Sequence, residues 1–217
     1  MTLLSWVGDG TSLMSGSRYI SSIQLRSNTL YTKGRAARGR PRSDSRCEAC
    51  KAYESLRHLL QGCSRTWAKR TERHDVLVRG VMTMLQKRKF NVLVEPSVPT
   101  EMGIRKPDIV AMDPGVSAVV LDLTIITDSS DLRTSYELKK KYYENDTIRE
   151  WVSKQAQCPA AAVSFSSITF NWRGALCKES ATDLLALGLT KDQLRLLSVR
   201  VVEKGFDIWL YTRKATV

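Results

Sequence analysis

Residues 105–125 read RKPDIVAMDPGVSAVVLDLTI, and the fold turns on this stretch. Val116 to Ile126 is an apolar, β-branched run of strand length, which predicts a buried central strand. Pro107 to Met112 predicts a shorter strand, and Asp113-Pro114-Gly115 between them is a turn signature. Two antiparallel strands joined this way bring Asp108, at the start of one, and Asp122, inside the other, to one end of a sheet. An aspartate flanked by Val119, Val120, Leu121 and Leu123 is costly to bury unless it is paired or metal-bound. Converging carboxylates bind a hard cation, Mg²⁺ or Mn²⁺, which activates water and stabilises a phosphoryl transition state. The plainer alternative makes Asp122 an acidic strand-end residue and Asp108 a turn cap. Thr124 shares the face of Asp122, where a lysine is the simplest third member of such a site, and no lysine stands there.

Working outward, Trp67 to Lys89 has helical spacing, with Val76, Leu77, Val81, Met84 and Leu85 on one side. Phe90 to Val98 reads as an edge strand because of Pro96. Leu132 to Gln155 carries one long helical pattern rich in lysine and aromatics, and Val163 to Trp172 alternates as a strand. Thr190, three residues before Gln193, is placed to cap a last helix running through Leu194, Leu197 and Val201 to Ile208. The fold class is therefore α/β, a mixed sheet with helices on its faces. There is no internal repeat.

The chain of 217 residues carries a net charge of +12. Residues 18–89 hold eighteen Lys and Arg against five Asp and Glu, while the rest holds 16 against 17. So one-sided a segment can neutralise phosphates and release counterions, which points to nucleic acid; a solvated face serving solubility is the alternative. Within it, YTKGRAARGRPRSDSR (31–46) has glycines, a proline and few apolar anchors, and predicts a flexible basic linker with Arg35, Arg38, Arg40 and Arg42 as phosphate contacts. No run of eighteen apolar residues exists and residues 1–17 lack secretory features, so no membrane partner is expected.

Five cysteines without secretory features favour metal ligation over disulfides. Cys47, Cys50, His58 and Cys63 form C-x2-C-x7-H-x4-C, with His58 and Cys63 on a short helix, ESLRHLLQGC, backed by Leu56, Leu59 and Leu60. Four N/S ligands suit a structural Zn²⁺, leaving no open catalytic position. Free thiols and an ordinary helix histidine are the alternative. Cys158 and Cys177 read as buried thiols.

Taken together, YISSIQLRSNTL (19–30), the CCHC cluster, KRTERHDVLV (69–78), GIRKPDIVA (103–111), VVLDLTI (119–125) and LKKKYY (138–143) resemble, in order, the C-terminal part of the polyproteins of site-specific non-LTR retrotransposons that insert into ribosomal RNA genes. The resemblance spans roughly residues 18–145. It implies a division into 1–46 (basic linker or end of an upstream domain), 47–65 (CCHC zinc knuckle) and 66–217 (restriction-enzyme-like endonuclease). It implies Asp108 and Asp122 as metal-binding carboxylates of a DNA-nicking, Mg²⁺-dependent enzyme. The family's lysine lies on the following helix, where Lys139 fits best and Lys141 next. Arg73-His74 and Arg105-Lys106 match basic pairs with DNA-contact or site-supporting roles. The implied partners are target DNA, element RNA and an upstream reverse transcriptase, in the nucleus; this chain has no paired aspartates of the YxDD kind. A catalytically dead DNA- or RNA-binding module, or a stand-alone regulator derived from such an element, are the competing readings.

Overall fold

A computed structural model describes residues 7, 10–40 and 44–214. In chain order the elements are α1 (Gly16–Arg26), α2 (Lys33–Ala36), α3 (Trp67–Gln86), β1 (Asn91–Val94), β2 (Val98–Thr100), β3 (Gly103–Arg105), β4 (Ile109–Asp113), β5 (Ser117–Ile126), α4 (Leu132–Tyr143), α5 (Asp146–Ala156), β6 (Val163–Asn171), α6 (Lys178–Ala186) and α7 (Lys191–Lys214). Strands β1, β4, β5 and β6 form one sheet in that order, and β2 with β3 forms a separate hairpin. The β1–β4 and β4–β5 pairs are antiparallel, while β5 and β6 are parallel, their connection filled by α4 and α5. The mixed sheet with flanking helices is the architecture that the sequence implies.

Alternation along β5 builds two cores. Val119, Leu121 and Leu123 join residues of α3, α6 and α7, among them Leu77, Val81, Leu184 and Leu197. Ala118 and Val120 face the other way, toward Ile148 and Val152 of α5 and Phe165 of β6. Asp122 follows Val120 by two residues, so the period of the strand puts it on that second face. Its cost there is set by the environment described below.

Several local expectations change. The 132–155 pattern is two helices, because Asn145 turns extended (φ −141°) and its side chain accepts the Ile148 N–H at 2.9 Å, capping α5. The Phe90–Val98 strand is cut at Glu95, whose φ of +48° breaks the extended run before Pro96. Helix α6 and the β2–β3 hairpin are absent from the sequence reading, since KESATDLLA and VPT carry too few apolar residues to show a period. The cap at Thr190 is present in both directions: Thr190 N–H donates to Gln193 Oε1 at 2.8 Å, and Gln193 N–H to Thr190 Oγ1 at 3.2 Å. That helix extends past Ile208 to Lys214. No helix among the described residues is long and apolar enough to cross a membrane.

A third core joins the chain's two ends. Leu25 and Leu30 pack with Leu56, Leu60, Trp172, Val199, Val202 and Ile208. The expected flexible linker is ordered in its described part: Thr32 caps α2 by accepting the Arg35 N–H, and Gly34 lies so close to Tyr53 that a Cβ there would come within 2.5 Å of the ring. Buried Glu54 accepts both the Lys33 N–H and an Arg213 N–H at 2.9 Å through Oε1. Removing it strands a buried N–H and a guanidinium together, so Glu54→Ala is expected to cost about 3 kcal/mol in urea unfolding; an unchanged midpoint would contradict this role.

Candidate metal and nucleic-acid site

Ladder pairing between β4 and β5 ends with Ile109 opposite Leu121, which sets Asp108 opposite Asp122. Strand β5 continues without β4, and the N–H of Leu123 donates instead to Asp108 Oδ2 at 2.6 Å. The same oxygen lies 3.1 Å from His74 Nε2 of α3. That hydrogen bond with Asp108 outweighs burial and lifts the imidazole to about 9, so His74 is a cation at neutral pH.

Asp122 is almost sealed from water, its side chain 6% exposed. Burial first, and the charge of Asp108 second, push its carboxyl above the usual carboxylate range, against the opposing effect of Lys139. Lys139 Nζ lies 3.0 Å from Asp122 Oδ2, an ion contact without hydrogen-bond alignment. Helix α4 supplies this lysine through its period: Asp131 caps the helix by accepting the Thr134 N–H at 2.7 Å, and Tyr136 and Tyr143 are buried on one stripe. Lys139 falls three residues after the first and four before the second, on the same stripe. Tyr143 donates to the Lys106 carbonyl at 3.0 Å and is raised chiefly by burial, with Asp122 and Asp108 adding to it.

Structure thus brings Asp108, Asp122, Lys139 and His74 together and leaves other expected residues elsewhere. Lys141 lines a groove with Thr100, Met102, Arg105 and Tyr142, away from the acids. Arg105 stacks 4.4 Å above the Tyr142 ring and donates to its hydroxyl, while the Lys106 side chain is exposed. Arg73 is only 2% exposed; it donates to the Leu60 carbonyl and to Gln61 Oε1, both at 3.2 Å, and burial lowers it to about 9. Arg35, Arg38 and Arg40 are exposed, and Arg42 lies outside the described residues. Tyr143 was missed; the Tyr136–Lys139–Tyr143 spacing is the signal that finds it.

The four expected metal donors converge as well. Ligand atoms of Cys47, Cys50, His58 and Cys63 all lie within 4.8 Å of one another, so the cluster can hold a metal ion such as zinc. Cys47 and Cys63 Sγ are 3.7 Å apart, close to the roughly 3.8 Å edge of a tetrahedron with 2.3 Å metal–sulfur bonds. Burial would raise the Cys47 thiol, but N–H groups of Cys50 and Ala49 outweigh it and lower it. The turn His58–Gly62 that carries His58 is tied to α3 by Arg70, which donates to the Gln61 and Cys63 carbonyls, and to β5 by Gln61, which donates to the Ile126 carbonyl.

A mixed sheet with two acids and a lysine at its open end, behind a Cys/His cluster able to hold a metal ion, defines the class as a mixed α/β domain with an appended Cys/His module. The chain is similar to one segment of the Pol polyproteins of R2 retrotransposable elements, which are its homologues. It is 35% identical over 199 residues to the retrovirus-related Pol polyprotein from type-2 retrotransposable element R2DM of Drosophila melanogaster, covering 91% of this chain and 19% of that protein. It is 32% identical over 205 residues to the type-1 R2 polyprotein of Nasonia vitripennis, again 91% and 19%, and 28% identical over 209 residues to that of Bradysia coprophila. The chain therefore spans about a fifth of the length of these relatives. No protein-family model matches it.

Because burial and Asp108 together outweigh Lys139 at Asp122, the site is held at a cost to stability. Asp122→Asn is expected to raise the thermal midpoint by roughly 2–4 °C, the effect of about 1 kcal/mol in a chain of this size. A fall measured by calorimetry would contradict that balance.

Proposed function

We propose that this chain is the DNA endonuclease segment of an R2-type polyprotein, cutting a target strand to leave a 3′-hydroxyl that primes reverse transcription. The observation that carries this reading is the convergence of Asp108, Asp122 and Lys139 at the one place where β5 lies open beyond β4. The two carboxylates fit a hard divalent ion, because burial and the charge of Asp108 outweigh Lys139 at Asp122. When bound, Mg²⁺ or Mn²⁺ would lower the pKa of water and stabilise the charge that builds on the phosphate. Asp108 and Asp122 would hold that ion, and the Leu123 N–H and His74 fix the orientation of Asp108. The Lys139 ammonium, beside Asp122, positions the attacking water and offsets phosphate charge.

Exposed Arg35, Arg38, Arg40 and Lys106, with Arg105 and the unplaced Arg42, supply sequence-independent contacts to the backbone of target DNA and element RNA. Zn²⁺ in the Cys47, Cys50, His58 and Cys63 cluster is structural, since the four protein ligands leave no open position. The relatives' greater length supports further domains in the same polyprotein; we propose a reverse transcriptase among them, and action in the nucleus.

Nicking of supercoiled plasmid tests the reading. With Mg²⁺ the protein is expected to nick, Asp108→Ala, Asp122→Ala and Lys139→Ala each to fall at least about a hundredfold, and Lys141→Ala to stay near the unaltered rate. Equal nicking by all variants would overturn the assignment. Tight DNA binding with no nicking in Mg²⁺ or Mn²⁺ would favour a catalytically dead binding module. Metal analysis is expected to find about one zinc per chain, lost on Cys47→Ser together with a lower melting temperature; full stability without zinc would remove its structural role.

A further inference from the structure

Beside the acids, on the side of β5 left uncovered by β4, opens a cavity of about 280 Å³. Its lining includes Gln61, Trp67, Arg70, His74, Leu123 and Thr124. Two of these, His74 and Leu123, contact Asp108 directly, so the cavity is continuous with the carboxylate site. Three features of its walls bear on what it holds. Trp67, at the start of α3, is a large apolar residue left 66% exposed. Arg70 and Arg73 bring positive charge, and Arg70 is fixed by the carbonyls of Gln61 and Cys63. Finally, β5 beyond Leu121 pairs only with β6. The Leu123 N–H points to the open side, so strand geometry turns the Leu123 carbonyl and the Ile125 N–H and carbonyl the same way.

An aromatic face, backbone donors and acceptors, and cations at the rim are together what an unstacked nucleobase and its phosphate require. Resting on the DNA endonuclease reading above, we infer that this cavity takes one unpaired base of the DNA strand next to the phosphate held at Asp108 and Asp122, with Trp67 as its stacking surface. A base inside an intact duplex cannot reach such a cavity. The substrate at the moment of cutting is therefore locally opened, at the usual cost of unstacking. Specificity at this position comes from how easily the step opens as well as from the open edge of β5.

The test compares two single strands of equal length and charge, one carrying bases and one a fully abasic deoxyribose-phosphate backbone, binding to the full chain without added Mg²⁺. Phosphate contacts are the same for both, so their difference reports stacking. The unaltered protein is expected to prefer the base-bearing strand by at least about tenfold, Trp67→Ala to lose most of that preference, and Trp67→Phe to keep it. Because Trp67 is largely exposed, the alanine variant should retain its melting temperature. If Trp67→Ala keeps the preference of the unaltered protein, the base site is wrong while the nuclease reading stands. If the unaltered protein binds neither strand, the DNA reading beneath it falls too.

Discussion

Strand β5 outruns its neighbour, and a hydrogen bond from the Leu123 N–H to Asp108 Oδ2, 2.6 Å long, takes over where the ladder stops. A bond to a charged acceptor contributes about 1.5–3 kcal/mol, enough to fix the carboxylate against the sheet. Its consequence is larger than its energy. With Asp108 held there, Asp122 on the next strand cannot avoid its charge, and the second core denies Asp122 water. Lys139 and His74 are then drawn in from α4 and α3 on opposite sides of the same opening. The site is a defect in sheet pairing, furnished with charge.

The Cys/His module is built into the same frame. Arg70 and Arg73 on α3 donate to the carbonyls of residues 60, 61 and 63, and Gln61 reaches from that turn to the end of β5. Leu59 and Leu60 are fully buried beneath it. His74 directly follows Arg73, so the residue that ties down the metal-binding turn adjoins the one that orients Asp108. A metal at the four donors would stiffen a turn that α3 carries toward the acids. The module is thus a buttress of the α/β domain, and α2, with its exposed Arg35, rides on it through Lys33 and Glu48, 2.9 Å apart.

The central strands and their acids were legible because the β-branched run from Val116 and the Asp-Pro-Gly turn leave only one compact pairing, and because a buried aspartate is too costly to be incidental. The cysteine spacing was legible for the same reason of chemistry. What the sequence concealed depends on long-range geometry. Arg73 looks like any basic residue of a basic segment, and only its position behind residues 60–61 shows that it is buried. Within the lysine triple no local feature separates 139 from 141; the buried tyrosines at 136 and 143 do, once α4 is known to end at Tyr143. Asn145 fits a continuous helix by composition, yet its capping bond breaks that helix in two. The described residues of the 31–46 segment have few apolar anchors of their own and are ordered by partners far away in sequence, Glu54 and Tyr53.

The most direct measurement of the shared ion is Mn²⁺ binding followed by electron paramagnetic resonance on the zinc-loaded protein. The expected result is a bound Mn²⁺ signal that disappears on replacing either Asp108 or Asp122 with asparagine, because both carboxylates are needed. Undiminished Mn²⁺ binding by both single variants would contradict a common site and leave the two acids as structural neighbours.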